Sequence, residues 1–226
     1  MIVIDFRRQG ANSRGLAVQR SVQLQSTTPK IKASSLSEPA INQKWEAKLH
    51  TQITNEASKV VKRPVNPEPA GPGTESVWDY PRPPALVRCE ARVIIVLNDA
   101  PLVDSIHAMR VLETTHPPTF YIPASDVDMS RLQSVAGNSF CEWKGVASYY
   151  DIDGAHAMRP RVAWTYHKPT PAFADIAGYI AFYPHAMDAC FVGDEQVKPQ
   201  QGDFYGGWIT ANIKGPFKGG VGTMGW

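Results

Sequence analysis

From position 86 onward, apolar residues fall in short runs or alternate with polar ones, and Gly, Pro, Asn or Asp breaks the pattern every several residues. That period puts successive side chains on opposite faces of an extended chain, the mark of antiparallel β structure. It predicts strands over 86–90, 92–97, 120–122, 139–143, 146–152, 161–166, 176–182, 189–192 and 196–197. Turns are expected at Asn98-Asp99, Lys144-Gly145, Asp153-Gly154 and Asp194-Glu195. Ser125, followed by Asp128, resembles a capping box that opens a helix of one or two turns ending at Leu132. The stretch 106–112 reads as a second short helix or equally as a strand. Residues 202–226 set eight glycines among large aromatics with no sustained period, a composition suited to laying rings over a surface without regular structure.

The first third of the chain differs. Residues 38–62 contain its one plausible long helix, with Ala47, Leu49, Ile53 and Ala57 near helical spacing. Pro64, Pro67, Pro69 and Pro72, with Gly71 and Gly73, then make an extended stretch that no helix continues through. Of the Phe, Tyr and Trp residues, only Phe6 and Trp45 precede position 77. A segment so poor in aromatics cannot bury enough surface to offset chain entropy. The organisation expected is therefore a disordered or transit-like tail at 1–37, a helix and Pro/Gly-rich linker at 38–74, and a mostly β domain at 75–226.

Charge changes the picture of the tail more than of the domain. Residues 1–37 hold six bases against Asp5, a net of +5, which leaves −3 for the remainder of a chain whose total is +2. An acidic domain lacks the basic face that duplex or RNA binding needs, so no nucleic acid is expected as a partner. The tail is rich in Arg, Ser, Thr and Gln like an organelle transit peptide, and Arg7-Arg8 interrupts the chain before the apolar core of a secretory signal could develop. A plain disordered extension is the other reading. The longest apolar run, Val93–Leu97, is far below the ~20 residues of a membrane-spanning helix, and no membrane partner is expected. Cys89, Cys141 and Cys190 are odd in number, widely spaced and never in a Cys-x-x-Cys pair, which fits reduced thiols in a cytosol-like compartment. The location expected is the cytoplasm, or a plastid or mitochondrion if the tail is a transit peptide.

The segment 141–149 is the richest in chemistry. Strand alternation would place Cys141 and Trp143 on one side and Glu142 and Lys144 on the other, favouring a buried structural cysteine and an exposed lysine. A turn at Gly145 bending Lys144 back would instead set an ammonium beside the thiol and make it a nucleophile. Trp164 and Tyr166 share a face of their strand and, with Tyr121 and Tyr149, either fill a core or line a concave aromatic surface. Asp104, Ser105, Glu113 and Lys144 are the polar company such a surface could gather, and Glu113 could equally sit in a structural ion pair. Cys141, Lys144 and Glu113 are the catalytic candidates. No histidine pair has metal-ligand spacing, and no nucleophile elbow or ordered Ser, His and Asp set is present.

Several blocks carry a resemblance. Val103-Asp104-Ser105, Val111-Leu112-Glu113, 117–123 (PPTFYIP) and Ser125-Asp126-Val127, then 141–149 (CEWKGVASY), Ala163-Trp164-Thr165-Tyr166 and 180–184 (IAFYP), match in order and spacing across 86–193. This segment resembles the domain of unknown function 427 family, and the flanks at 75–81 and 215–220 resemble a longer subgroup of it. The resemblance implies a single strongly bent antiparallel sheet of the β-tent kind with one or two short helices, similar in topology to methionine sulfoxide reductase B. Those relatives often hold zinc through Cys-x-x-Cys knuckles. This chain has none, so no structural zinc is expected, and no other cofactor is indicated. Glu142 stands where the family commonly has proline.

The family is also labelled nucleotidyltransferase. That chemistry needs two or three carboxylates for Mg²⁺ and a glycine-rich or basic cradle for the triphosphate. Asp126/Asp128 read as capping residues and Asp153-Gly154 as a turn, and no phosphate-cradling loop accompanies them.

The leading expectation is a small-molecule-binding domain, with enzymatic activity left open. Its ligand-binding residues would be Asp104, Ser105, Glu113, Tyr121, Lys144, Tyr149, Trp164 and Tyr166. The alternative is a scaffold or interaction module using Phe204, Trp208 and Trp226, and a weaker one is the nucleotidyltransferase. Oligomeric state is not legible.

Overall fold

Short, bulged and proline-interrupted strands dominate the computed structural model, which describes residues 3–5, 66–154 and 157–226. The expected tail, its helix at 38–62 and the start of the linker lie outside the described residues. The described strands in chain order are β1 (Val3–Asp5), β2 (Glu75–Ser76), β3 (Ala85–Arg88), β4 (Val93–Leu97), β5 (Ala100–Ser105), β6 (Met109–Leu112), β7 (Thr119–Tyr121) and β8 (Leu132–Cys141). They continue with β9 (Gly145–Asp153), β10 (Met158–Thr165), β11 (Ile180–Phe182), β12 (Ala189–Val192), β13 (Glu195–Gln196), β14 (Lys198–Pro199), β15 (Trp208–Ile209) and β16 (Ile213–Lys214). The protein is mostly β.

One bent sheet was expected, and the strands instead pair into five sheets. These are β1-β8-β9-β10-β11, β13-β12-β4-β5, β3-β6-β7, and the pairs β14-β15 and β16-β2. Only β16 and β2 run parallel. The physical reason lies in the joints. Pro117, Pro118 and Pro123 flank β7 and lack the N–H that a continuing ladder requires. Bulges also interrupt three pairings, in β8 at Gly137 (φ +98°), in β10 at Arg161 (φ +51°) and between Ile95 and Val96 of β4. A single bridge from Ile122, next to β7, to Ile180 of β11 then links two sheets, and one from Val103 of β5 to Val127 ties in the segment between the 3₁₀ turns.

Other expectations are corrected locally. Of residues 106–112, left open between helix and strand, Met109–Leu112 form strand β6. The helix at 125–132 is two separate 3₁₀ turns, Ala124–Asp126 and Met129–Arg131, because Val127 between them is extended and bridges to Val103. Asp128, not Ser125, caps the second turn, accepting from the Ser130 N–H at 3.2 Å. Residues Pro171–Ile176 form 3₁₀ turns, so the strand expected from 176 begins only at Ile180.

The alternation in β4 buries Val93, Ile95 and Leu97, which join Phe120, Ile122, Ile180, Phe182 and Trp208 in the largest core cluster. Burying each such side chain contributes about 1.5–3 kcal/mol. A second cluster gathers Tyr121, Cys141, Tyr149, Trp164, Tyr166 and Phe173. A third, Val77, Trp78, Tyr80 and Ile213, anchors the segment before β3 to the carboxyl-terminal residues, where Trp226 meets Trp78 edge to face at 5.4 Å.

Candidate functional site

The second cluster is not solid. Its aromatic rings surround a partly open cavity of about 80 Å³, lined by Val111, Glu113, His116, Pro117, Thr119, Tyr121, Ser139, Lys144, Tyr149, Trp164, Tyr166, Tyr183, Gln200, Phe204, Tyr205 and Gly206. That is room for several waters or a few heavy atoms.

Each wall comes from a different element, placed by register. Tyr149 of β9 lies directly across from Trp164 of β10, so both rings point to one side of the sheet. Tyr121 at the end of β7 meets Trp164 edge to face at 6.3 Å, and the Trp164 Nε1–H donates to its hydroxyl at 3.3 Å. Tyr183 tilts against Trp164 at 4.5 Å. Ser139 and Tyr149 share a hydrogen bond of 2.6 Å between their hydroxyls. Burial is the main cause that raises the pKa values of Tyr121, Tyr166 and Tyr183, so these phenols stay neutral across the physiological range.

Glu113 and His116 stand at the two ends of one tight turn, closed by the His116 N–H donating to the Glu113 carbonyl at 3.0 Å. Thr115 within it has φ +74°, a position that glycine or asparagine usually takes. Neighbouring segments hold it there: its N–H donates to the Val77 carbonyl at 2.9 Å, and its carbonyl accepts from the Lys218 N–H at 2.9 Å.

The histidine's tautomer follows from its surroundings. Gln200 Oε1 accepts from the Gly207 N–H at 3.1 Å, and Gln200 Nε2 donates to the Lys218 carbonyl at 2.6 Å, which fixes the amide's orientation. Gln200 Nε2 also lies 3.2 Å from His116 Nδ1, so Nδ1 accepts and the ring proton sits on Nε2. Burial, helped by Lys218, pushes the imidazole pKa down to about 3, so the ring is neutral. His116 Nε2 and Glu113 Oε1 are buried and have no hydrogen-bond partner. The nearest charge to Glu113 is Arg82 Nη1 at 4.0 Å, while Arg82 Nη2 donates to Glu142 at 3.2 Å.

Lys144 overturns the favoured reading of an exposed lysine, since it is only 5 % exposed. Strand β8 ends at Cys141, and Glu142-Trp143-Lys144 is the turn into Gly145 at φ +93°, so the alternation that would point Lys144 away stops three residues too early. Thr170 pins the turn, its hydroxyl donating to the Trp143 carbonyl at 2.5 Å. The ammonium hydrogen-bonds the Cys141 sulfur and lies 5.9 Å and 5.5 Å from the ring centres of Tyr166 and Phe173. Desolvation is the largest single influence and pulls its pKa down. Tyr121, Cys141 and Glu113 together outweigh it, leaving the pKa raised and the group protonated.

Of the residues singled out from sequence, Glu113, Tyr121, Lys144, Tyr149, Trp164 and Tyr166 are brought to this cavity, with Cys141 behind Lys144. Asp104 and Ser105 are not. Asp104 faces solvent from β5 and pairs with Arg92, and Ser105 donates to Asp126 at 2.7 Å. His116, Ser139, Tyr183, Gln200 and Tyr205 were missed. Only the Tyr183-Pro184 end of a quoted block offered a signal, because scattered polar residues carry no periodicity that marks a shared hollow.

A larger hollow of about 230 Å³ opens beside Arg88, Cys89, Arg110 and Trp208. Arg110 there is paired with Glu75 at 2.9 Å, and none of the unpartnered buried polar atoms lies in its lining.

The carboxylates that nucleotidyl transfer would need are occupied elsewhere. Asp126 takes Ser105 and His107, Asp128 caps its turn, and Asp151 accepts the Arg161 N–H at 2.7 Å. Among the described residues no group of three or more His, Cys, Asp or Glu could hold a metal ion, so these residues assemble no such metal site. No helix among them is long and apolar enough to cross a membrane.

No curated protein matches the chain. Residues 85–193, just under half of the chain, match the family described as Domain of unknown function (DUF427), whose short label is of the nucleotidyltransferase type.

Proposed function

We propose that the domain binds a small molecule in the cavity between Glu113, His116 and Lys144. One observation carries the reading: two buried polar atoms without hydrogen-bond partners, Glu113 Oε1 and His116 Nε2, belong to residues lining the same hollow as a buried ammonium. Leaving such groups unpaired costs about 1–3 kcal/mol each, a cost with no return to the fold and a direct return to a ligand that satisfies them. An acid and a base at one cavity are also what proton transfer requires, and turnover of a bound compound would separate an enzyme from a binding protein. The interaction-module alternative has weaker support, since Trp208 is buried, Trp226 packs on Trp78 and only Phe204 of the three is exposed.

A thermal-shift screen of metabolites against the full chain tests the proposal. A ligand at a hundredfold its Kd stabilises by about 2.7 kcal/mol, and Thr119→Phe, which fills the cavity, should remove the shift. A shift that survives this filling, or none from any compound, ends the reading.

A further inference from the structure

Charge balance around the cavity narrows the ligand, and this step rests on the binding proposal above. Among the described residues no carboxylate lies within 4.0 Å of the Lys144 ammonium; those ion pairs join Arg82, Arg92, His107, Arg110 and Arg159 to acids. Glu113 acts on that charge only from beyond contact distance, and the Cys141 sulfur and aromatic faces beside it are no contacting counter-ion, so an anion placed against it would add a charge-assisted hydrogen bond. Beside it the cavity presents donors, the His116 Nε2–H and the Tyr121 hydroxyl, whose oxygen already accepts from Trp164 and whose hydrogen is left to give. Glu113 Oε1, 4.0 Å from Arg82 Nη1, is the acceptor left without a hydrogen bond. Aromatic walls suit a short hydrocarbon stem, and about 80 Å³ limits it to a few heavy atoms.

We infer that the cavity takes a small carboxylate that also carries a hydroxyl or amino group, its carboxylate held by Lys144 and the His116 Nε2–H and its donor by Glu113. The anion supplies a counter-charge in contact with Lys144, and the donor satisfies the carboxylate oxygen that has no hydrogen bond. A cation would meet Lys144 with like charge, and an uncharged polyol would leave the ammonium uncompensated.

Calorimetry on the full chain with lactate, alanine, propionate, 1,2-propanediol and isopropylamine tests this. The expected result is binding of lactate or alanine, weaker binding of propionate, and no binding of the diol or the amine. Lys144→Met keeps the stem and removes the charge. It should weaken the acid at least about thirtyfold. Glu113→Gln, nearly isosteric, should shrink the preference for lactate over propionate. It serves as an independent check should Lys144→Met fail to fold. The inference is overturned if the diol or amine binds better than the acids, if Lys144→Met binds them as well as the parent, or if neither acid binds. If other compounds still shift Tm in a manner that Thr119→Phe abolishes, only the ligand class is wrong and the binding proposal stands.

Discussion

His116 shows how one residue couples site and stability. The folded imidazole resists a proton until about pH 3, whereas an unfolded one takes it up near pH 6.5. The unfolded chain therefore binds more protons throughout that window, and stability falls as pH drops from about 6.5 to 3, by up to about 1.4 kcal/mol per unit. Lys218, Arg82 and Lys144 all push in the same direction. Urea denaturation at pH 7, 5.5 and 4 should show this slope, and His116→Asn should flatten it. An unchanged slope would assign the effect to another group. Gly206 makes a sharper local demand, since a Cβ there would stand 2.3 Å from Trp164 Cη2, against a rigid ring wedged between Tyr121 and Tyr183. Gly206→Ala should cost about 1–3 kcal/mol and shift the tryptophan fluorescence; an unperturbed spectrum with full stability would mean the carboxyl-terminal segment does not press on this wall. At this scale the aromatics were legible, because large rings spaced two apart on a strand must share a face. The burial of Lys144 was not, because it depends on where β8 stops.

Elements were read where alternation is clean and missed where function-neutral polar residues blur it. The Asn98-Asp99 turn was legible, and both residues take positive φ, +53° and +57°, as a tight hairpin with right-twisted strands requires. The strand that follows, β5, was missed because Pro101 and Asp104 break its pattern, although Leu102, Val103 and Ser105 are buried. Asp99→Val should lose about 1–2 kcal/mol, because a β-branched residue is forced into the left-handed region, and Asp99→Gly should lose nothing. Urea midpoints of the two variants check the hairpin. Equal midpoints would show that the turn does not hold that geometry. Similarly, residues 132–138 of β8 include Gln133, Ser134, Gly137 and Asn138 and were not readable as a strand, yet the backbone ladder to β9 pairs Gln133, Ser134 and Asn138 on either side of the bulge at Gly137.

Across the whole molecule, the three cysteines are free and buried, and burial raises the pKa values of Cys89 and Cys190. A thiol reagent at pH 7.5 should therefore modify none of them quickly in the native chain and all three in denaturant; rapid labelling of the folded protein would mean the clusters open readily. The sequence alone determined that the described region is β, where most of its strands run, which family model residues 85–193 match and which aromatics would be interior. Those properties follow from side-chain period and local turn chemistry, which act over a few residues. Tertiary structure decided that the strands split into five sheets, that Lys144 turns inward, that Asp104 and Ser105 stand apart, and that Glu113, His116 and Gln200 meet. Those outcomes depend on bulges, prolines and contacts between residues up to 138 positions apart, and no local pattern encodes a pairing across that distance.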